Sequence, residues 1–500
     1  MSTHKAIYVG LFSVILLGLL WTITSDASGL CNDTSRLATA DAIVNHGTLS
    51  INKSIFFYTC DRIKIGADFF SDKPPFLSLF YAFLLFCLQG FWAMELPKHL
   101  PQIYKGMTLL SSGFAFCGIV ALLYLEAQKK DWPRWFAFCF ALLCVSATQV
   151  FVFASVLNSH IIAAAFLLWF WIREKNSAHP GLSGGILGAA VVIDPLAVSF
   201  IGAWLWVMRK SIFTRKRFFL LLLGGLIPVS VHSILCWSIS GSWLTLNLNP
   251  EHFQFVGSIH NTKTLTGLGL KHSSISSFLS YAFHSLVGHH GFFIYNTITV
   301  FGLLALFLNK KKSLDDFRVI VLTFLFFFIL TIGFSDNHSG GAYGNRWHVL
   351  LVPLALYGLF TLEPVVFKQQ RVLGFLFVLV SIWGLAISRI GLIDPWSPYF
   401  WEIPSFIVQF EEGAPYWDHE QKMSDGFLQT NHLHEAIHFG ELALRRDSSQ
   451  VRSWTSVVTA AITLQDFARI EKYAADIKRA NLPASFKDDI LRALREAQKQ

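Results

Sequence analysis

Unbroken apolar runs of near-bilayer length recur along this chain, separated by short polar or basic segments. Residues 6–23 and 372–388 each approach the roughly 20 residues that a helix needs to cross a hydrocarbon core. Comparable runs follow at 106–125, 135–156, 157–172, 218–239, 292–308, 317–335 and 347–363. The run at 182–207 contains Asp194-Pro195. Proline lacks an N–H donor and disfavours helix in the residue before it, so two short helices broken at that point are expected. From about residue 414 the pattern changes to apolar positions at helical spacing among charges. Ala436, Ala443 and Leu444 fall in one expected helix, Trp454, Val457, Val458 and Ala461 in the next, then Ile470, Tyr473, Ala474 and Ile477.

The chain is 53% hydrophobic and only 14% charged over 500 residues, with a mean hydropathy of +0.48. A soluble chain of that length needs more charge to cover its surface. The formal charge of +8 would suit a polyanionic partner. Lys and Arg, however, cluster beside the apolar runs, at Lys129/Lys130/Arg134, Arg209/Lys210, Arg215/Lys216/Arg217, Lys310/Lys311/Lys312 and Lys368/Arg371. That is the positive-inside bias of a membrane protein, and it argues against nucleic acid as a partner.

With those clusters cytoplasmic, the chain threads as an all-α polytopic membrane protein of about eleven crossings. The first run has only His4 and Lys5 before it and no small-residue cleavage site after Trp21. It is expected to be a retained helix leading outward from a cytoplasmic N-terminus. Residues 25–75 then form an external loop. Residues 76–94 are expected to lie in the membrane plane or to re-enter, because a full crossing would put Lys129, Lys130 and Arg134 outside. A second external or re-entrant region covers 240–291. The membrane module thus spans 1–393, a linker 394–413, and an extracytoplasmic helical segment 414–500. A single tetratricopeptide-like helix pair cannot bury its own face. This tail is therefore expected to cap the membrane body or to dock a protein partner.

In the first external loop, Asp33 precedes an expected helix over 34–46 that ends at Gly47. Leu37, Ala40 and Val44 share one face of it, as in a helix on a membrane surface. Asp33 is placed either to cap that helix or to work as an acid in the loop. Asp72-Lys73-Pro74-Pro75 sets a carboxylate and an ammonium at the water–lipid boundary, ahead of two stiffening prolines. By itself Lys73 also suits a snorkelling anchor.

The pairing of Asp33-x-x-Arg36, just after the first apolar run, with Asp72-Lys73-Pro74-Pro75 resembles the GT-C glycosyltransferases. It is closest to the branch of the protein O-mannosyltransferases and the lipid A aminoarabinose transferases. Asn158-Ser159-His160 at a helix mouth is similar to a second polar cluster of that branch. Gly241-Ser242-Trp243 with Asn249-Pro250-Glu251 and Gly257-Ser258, and the glycine-rich stretch from Ser339 to Trp347, are similar to later elements in the same order. The resemblance covers residues 1 to about 360 and leaves out the tail.

The resemblance implies transfer of a sugar from a polyprenyl-phosphate-linked donor to a lipid, glycan or protein acceptor on the outer face, with inversion at the anomeric carbon. It makes Asp33 the candidate base and puts Lys73 near the donor phosphate. The chemistry asks for those residue types. An attacking hydroxyl needs a proton acceptor within hydrogen-bond reach, and a departing phosphate gains charge that a fixed cation stabilises. Arg346 is a second phosphate candidate, because guanidinium holds phosphate bidentately and Gly340, Gly341 and Gly344 let backbone approach closely. Its plain alternative is a cation at a helix end. Arg36, Asp72, Asn158 and His160 are supporting or acceptor-side candidates, and Asn158 and His160 equally suit a structural pair. Members of the branch often carry an acidic residue near that pair. Its absence here leaves a divalent cation open, and no other cofactor is implied.

Of seven cysteines only Cys31 and Cys60 lie in the external loop, where an oxidising periplasm would let them form a disulfide. Cys87, Cys117, Cys139, Cys144 and Cys236 read as small buried hydrophobes in apolar helices. His284, His289 and His290 lack a carboxylate or thiol set at zinc spacing, so no metal site is expected there. Asp194 reads as a helix-break residue. Two rivals remain: a secondary transporter, although no internal repeat is visible, and a non-catalytic envelope scaffold with a docking tail. The expected location is a bacterial inner membrane.

Overall fold

The apolar runs fold as helices, but not every run stays whole. The computed structural model describes residues 3–24, 31–57, 59, 61–96, 98–175, 179–212, 215–255, 272, 274–288, 290–311, 313–335, 342–363, 370–393, 395, 421, 424, 428, 433–446 and 448–498. Helix α1 (Thr3–Ile23) leads to α2 (Cys31–His46) and to an antiparallel hairpin of β1 (Arg62–Ile65) and β2 (Asp68–Ser71). Next come α3 (Pro75–Trp92) and α4 (Leu100–Gln128), the latter passing through one π turn. The bundle continues with α5 (Arg134–Ser146), α6 (Gln149–Ala154), α7 (Ser159–Lys175), α8 (Pro180–Ile193), α9 (Val198–Ile212) and α10 (Arg215–Ser240). It closes with α11 (Ile275–Leu286), α12 (Phe292–Tyr295), α13 (Thr299–Leu308), α14 (Leu314–Phe334), α15 (Val352–Tyr357) and α16 (Arg371–Ile393). The tail supplies α17 (Leu433–Arg446), α18 (Val451–Thr463), α19 (Phe467–Arg479) and α20 (Ala484–Ala497). Among the described residues the hairpin is the only sheet.

Among the described residues, five helices are long and apolar enough to cross a membrane: α3, α4, α10 from Lys216, α14 and α16. Gly10–Ile23, Arg134–Ser146, Pro180–Ile193, Pro195–Arg209, Thr299–Leu308 and Arg346–Thr361 are apolar but shorter. Three expected single helices are broken. The run at 135–156 splits between α5 and α6, where the Thr148 side chain accepts the Val150 N–H. The run at 292–308 splits at Asn296, and 347–363 becomes α15 between two 3-10 turns, Arg346–Leu350 and Gly358–Thr361. Side chains and neighbouring segments satisfy the freed backbone, and such breaks are tolerated at membrane depth only inside protein. The break at Asp194-Pro195 falls where the sequence puts it, with the Asp194 carboxylate accepting the Leu196 N–H at 3.1 Å.

Close packing and polar ends fix the bundle. A Cβ at Gly184 would overlap the Leu221 carbonyl, so α8 and α10 touch backbone to backbone, as small residues permit in membrane helix pairs. At one end, the last turns of α4, α7 and α15 meet the first turns of α10 and α14. There Lys175 reaches Asp316 at 2.7 Å and the Tyr357 hydroxyl at 2.7 Å. Arg217 pairs with Glu174, and the Glu126 charge acts on Asp316. In the tail, the helically spaced Trp454, Val457, Val458, Ile470, Tyr473 and Ile477 are buried together, and Cys31 belongs to the same cluster.

Helix α2 departs from expectation twice. It already runs at Cys31, so Asp33 sits inside its first turn rather than capping it. Residues 31–42 are all buried, so this segment lies under protein, not open on a membrane surface.

Candidate functional site

The site forms where α2 crosses the start of α4, the hairpin and the mouth of α7. The hairpin turns at Gly66, which takes φ +63. Its alternation of Ile63 and Ile65 before that glycine is a strand signal that the loop reading passed over. Ser35 of α2 donates to the Asp61 carbonyl and meets the Ser71 hydroxyl at 2.6 Å, which ties α2 to the hairpin. Arg62 stacks 4.6 Å from the Phe57 ring and 4.8 Å from the Phe69 ring, closing the hairpin's outer side.

Asp33 is fully buried. Its Oδ2 accepts the Tyr104 hydroxyl at 2.6 Å, while Oδ1 has no hydrogen-bond partner among the described residues. Tyr104 in turn accepts the Leu157 N–H at 3.5 Å, so the tyrosine links α4, α2 and the entry to α7. One helical turn on, Arg36 donates to the Asn32 carbonyl at 3.1 Å and to the Asn32 side chain, and reaches Ser159 Oγ at 3.0 Å. Its Nε has no partner among the described residues. Buried polar atoms left open cost free energy, and they are expected where a ligand completes the set.

Burial pushes the Asp33 carboxyl from the usual 3.8 up to about 7. The Tyr104 hydroxyl, Arg36 and Arg346 oppose that rise, and Asp61 adds to it. Arg346 stands in the electrostatic reach of Asp61, Arg36, Asp33 and Asp72. It is delivered there by a built turn. Gly344 has φ +62, and a Cβ on it would meet Gln149 Nε2 at 2.5 Å and the Tyr295 ring at 2.9 Å. Gln149 Nε2 donates to the Tyr343 carbonyl at 2.7 Å, and Asn296 holds the Gln149 amide oxygen at 2.9 Å. Asn345 accepts the Trp347 N–H at 3.0 Å and so starts the 3-10 turn that carries Arg346. Gly340 and Gly341 lie outside the described residues.

Lys73 is not a lone cation. It pairs with Asp61 at 2.7 Å and with Asp72 at 3.1 Å, and its N–H donates to Ser71 Oγ. Two carboxylates already balance its charge, so a phosphate would have to displace one of them. Asn158 turns inward as a cap: its Oδ1 accepts the Ile161 N–H at 3.2 Å. His160, a supporting or acceptor-side candidate, pairs with Asp194 and not with Asp33. Its Nδ1 meets Asp194 Oδ2 at 2.7 Å. Cys31 is disulfide-bonded, while its expected partner Cys60 lies outside the described residues. Among the described residues, no group of three or more His, Cys, Asp or Glu side chains is placed to hold a metal ion.

Beside this polar site lies an apolar cavity of about 720 Å³ between α3, α4, α7 and α8. Phe76, Ser111, Ile162 and Ile193 line it close to the polar residues, and Leu125 and Trp169 line it further along α4 and α7. Tyr104 as a partner of Asp33, and Asp194 as a partner of His160, are the candidate-site pairings that the sequence did not announce; Asp194 reads there only as a helix-break residue. Tyr104 lies 71 residues from Asp33 and Asp194 lies 34 from His160. No local motif joins either pair. Only a rule that an acid in an apolar run needs a partner pointed to Asp194. Compared with known proteins, the chain matches no protein-family model and no curated protein.

Proposed function

We propose that this chain is an integral-membrane glycosyltransferase that moves a sugar from a polyprenyl-phosphate-linked donor to an acceptor on the outer face of a membrane. The observation that carries it is Asp33: a fully buried acid with one oxygen oriented by Tyr104 and the other open. It stands beside two guanidiniums and next to an apolar cavity of about 720 Å³. Asp33 takes the proton of the attacking acceptor. Arg346, reinforced by Arg36, balances the phosphate charge that grows as the bond to the sugar breaks. The neighbouring cavity suits a hydrocarbon chain, since its lining is almost wholly apolar. Lys73 helps indirectly, by holding Asp61 and Asp72 in place.

The threading of about eleven crossings follows from the charge bias. The polar end formed by Lys175, Arg217, Glu126 and Asp316 supports it, because all the helix ends that meet there were assigned to the cytoplasm. Asp33, His160 and Arg346 then belong to the outer side, and the helical tail to the same side. The test is sugar transfer by full-length protein from a polyprenyl-phosphate-linked donor. Asp33→Asn is expected to abolish transfer while the protein inserts and stays monodisperse. Turnover retained in that variant would count decisively against the proposal.

A further inference from the structure

His160 and Asp194 form a second ionisable pair that the reading above does not use. Asp194 sits at the α8 break with both oxygens committed: Oδ1 accepts the Leu196 N–H at 3.1 Å and Oδ2 meets His160 Nδ1 at 2.7 Å. The carboxylate is 2% exposed and cannot swing away without opening the break. His160 Nδ1 is therefore engaged, while Nε2 has no hydrogen-bond partner among the described residues. An imidazole fixed by a carboxylate on one nitrogen and open on the other is the arrangement that handles protons in catalytic sites. Its position is specific. Ser159, the preceding residue, holds Arg36. The charged groups acting on His160 are Asp194 at the α8 break, Arg346 at the 3-10 turn and Arg36 on α2. Ile162 and Ile193, two residues beyond His160 and one before Asp194, line the apolar cavity.

We infer that His160, oriented by Asp194, is the catalytic residue at the phosphate of the lipid donor, with Asp33 serving the acceptor. This rests on the donor being a lipid phosphate. In the transfer step the acceptor O–H gives its proton to Asp33, and its oxygen forms the bond to the anomeric carbon. The bond from that carbon to the phosphate oxygen breaks, leaving the electron pair on that oxygen. His160 in its imidazolium form, balanced by Asp194, donates Nε2–H to the departing phosphate and is left neutral. The role suits a site in which Lys73 is already neutralised by Asp61 and Asp72. Asp194 is a positioning residue: it acts through the imidazole.

The experiment uses full-length protein with the methyl phosphodiester of farnesol, whose single charge does not titrate near neutrality. Affinity is measured across about pH 5 to 9, the range in which histidine changes charge. Wild type is expected to bind more weakly as pH rises and the imidazolium is lost. His160→Gln, which keeps a hydrogen bond to Asp194, is expected to bind roughly tenfold more weakly at low pH, the worth of one bond to a charged group, and to lose the pH dependence. Asp194→Asn is expected to move the midpoint down by about one unit, because an opposite charge has been removed from the imidazolium. A merely structural pair would lower thermal stability and leave the pH profile where it was. If wild type binds the diester and both variants follow its curve, the assignment of His160 is overturned while the glycosyltransferase reading stands. If wild type does not bind it at all, the lipid-phosphate reading falls and this inference with it.

Discussion

Asp33 carries two consequences that can be measured separately. As the proposed base, held up at about 7 by burial, it is competent only when ionised, so it should set the rising limb of the pH–rate profile, with loss of the His160 imidazolium setting the falling limb. Tyr104 donates to the carboxylate and pulls its pKa down. Tyr104→Phe should therefore move the midpoint of the pH–rate profile upward, and an unmoved midpoint would mean that another group is being titrated. The same carboxyl weakens the fold. Its folded pKa lies above the 3.8 of an unperturbed carboxyl, so the penalty is absent below that value and grows as pH rises towards 7. Above 7 it amounts to about 4 kcal/mol at most, from about 1.4 kcal/mol per pKa unit. Asp33→Asn should melt higher than wild type at pH 8 and at the same temperature at pH 4. A gap of equal size at both pH values would show that burial does not penalise this acid.

At the scale of elements, α3 is the instructive case. By length and composition it could cross a membrane. Its packing argues for the membrane plane. Leu85, near its middle, gathers with Leu37 of α2, Phe56 between α2 and the hairpin and Ile103 of α4 around one small apolar gap. Phe80, Phe83, Phe86 and Phe91 form an exposed stripe along its length. A helix that keeps α2 on one side and an apolar stripe on the other is compatible with the in-plane placement proposed from the charge clusters. Spin labels at Phe83→Cys and Phe91→Cys should therefore report equal depths to lipid-soluble oxygen. Eight residues of a crossing helix would separate them by about 12 Å. Pro195 made the α8 break legible before any coordinates, whereas the charge clusters gave the in-plane placement of α3 only as an expectation. The hairpin was within reach too, through Ile63, Ile65 and Gly66. What the sequence hid is pairing at a distance. Asp61 claims Lys73 because a hairpin folds residues 61 and 73 together. Tyr104 claims Asp33 because α4 passes the first turn of α2. The fragmentation of 347–363 was hidden for another reason: residues 348–360 are all buried, and a buried broken segment is as apolar as a crossing helix.

On the scale of the whole molecule, the tail and the site share a residue. Cys31, two positions before Asp33, is disulfide-bonded and buried in the same cluster as Trp454, Val457 and Ile470 of the tail. The tail thus covers the covalent anchor of the helix that carries the acid. A disulfide contributes typically about 2–4 kcal/mol by restricting the unfolded chain, and its exchange with a soluble thiol requires access to a sulfur. At 4% exposure Cys31 offers little access while the tail is docked. Val457→Asp puts a charge at a fully buried position in α18 and should loosen the tail without touching the membrane helices. In that variant the Cys31 bond should be reduced by a soluble thiol many times faster than in wild type, read as free-thiol labelling over time. Transfer activity should then decay in step with the labelling, because the start of α2 loses its tether. Wild type should keep both for longer under the same reductant. Equal labelling rates in the two proteins would mean that the tail does not guard the bond, and its contact with Cys31 would be packing without consequence for the site.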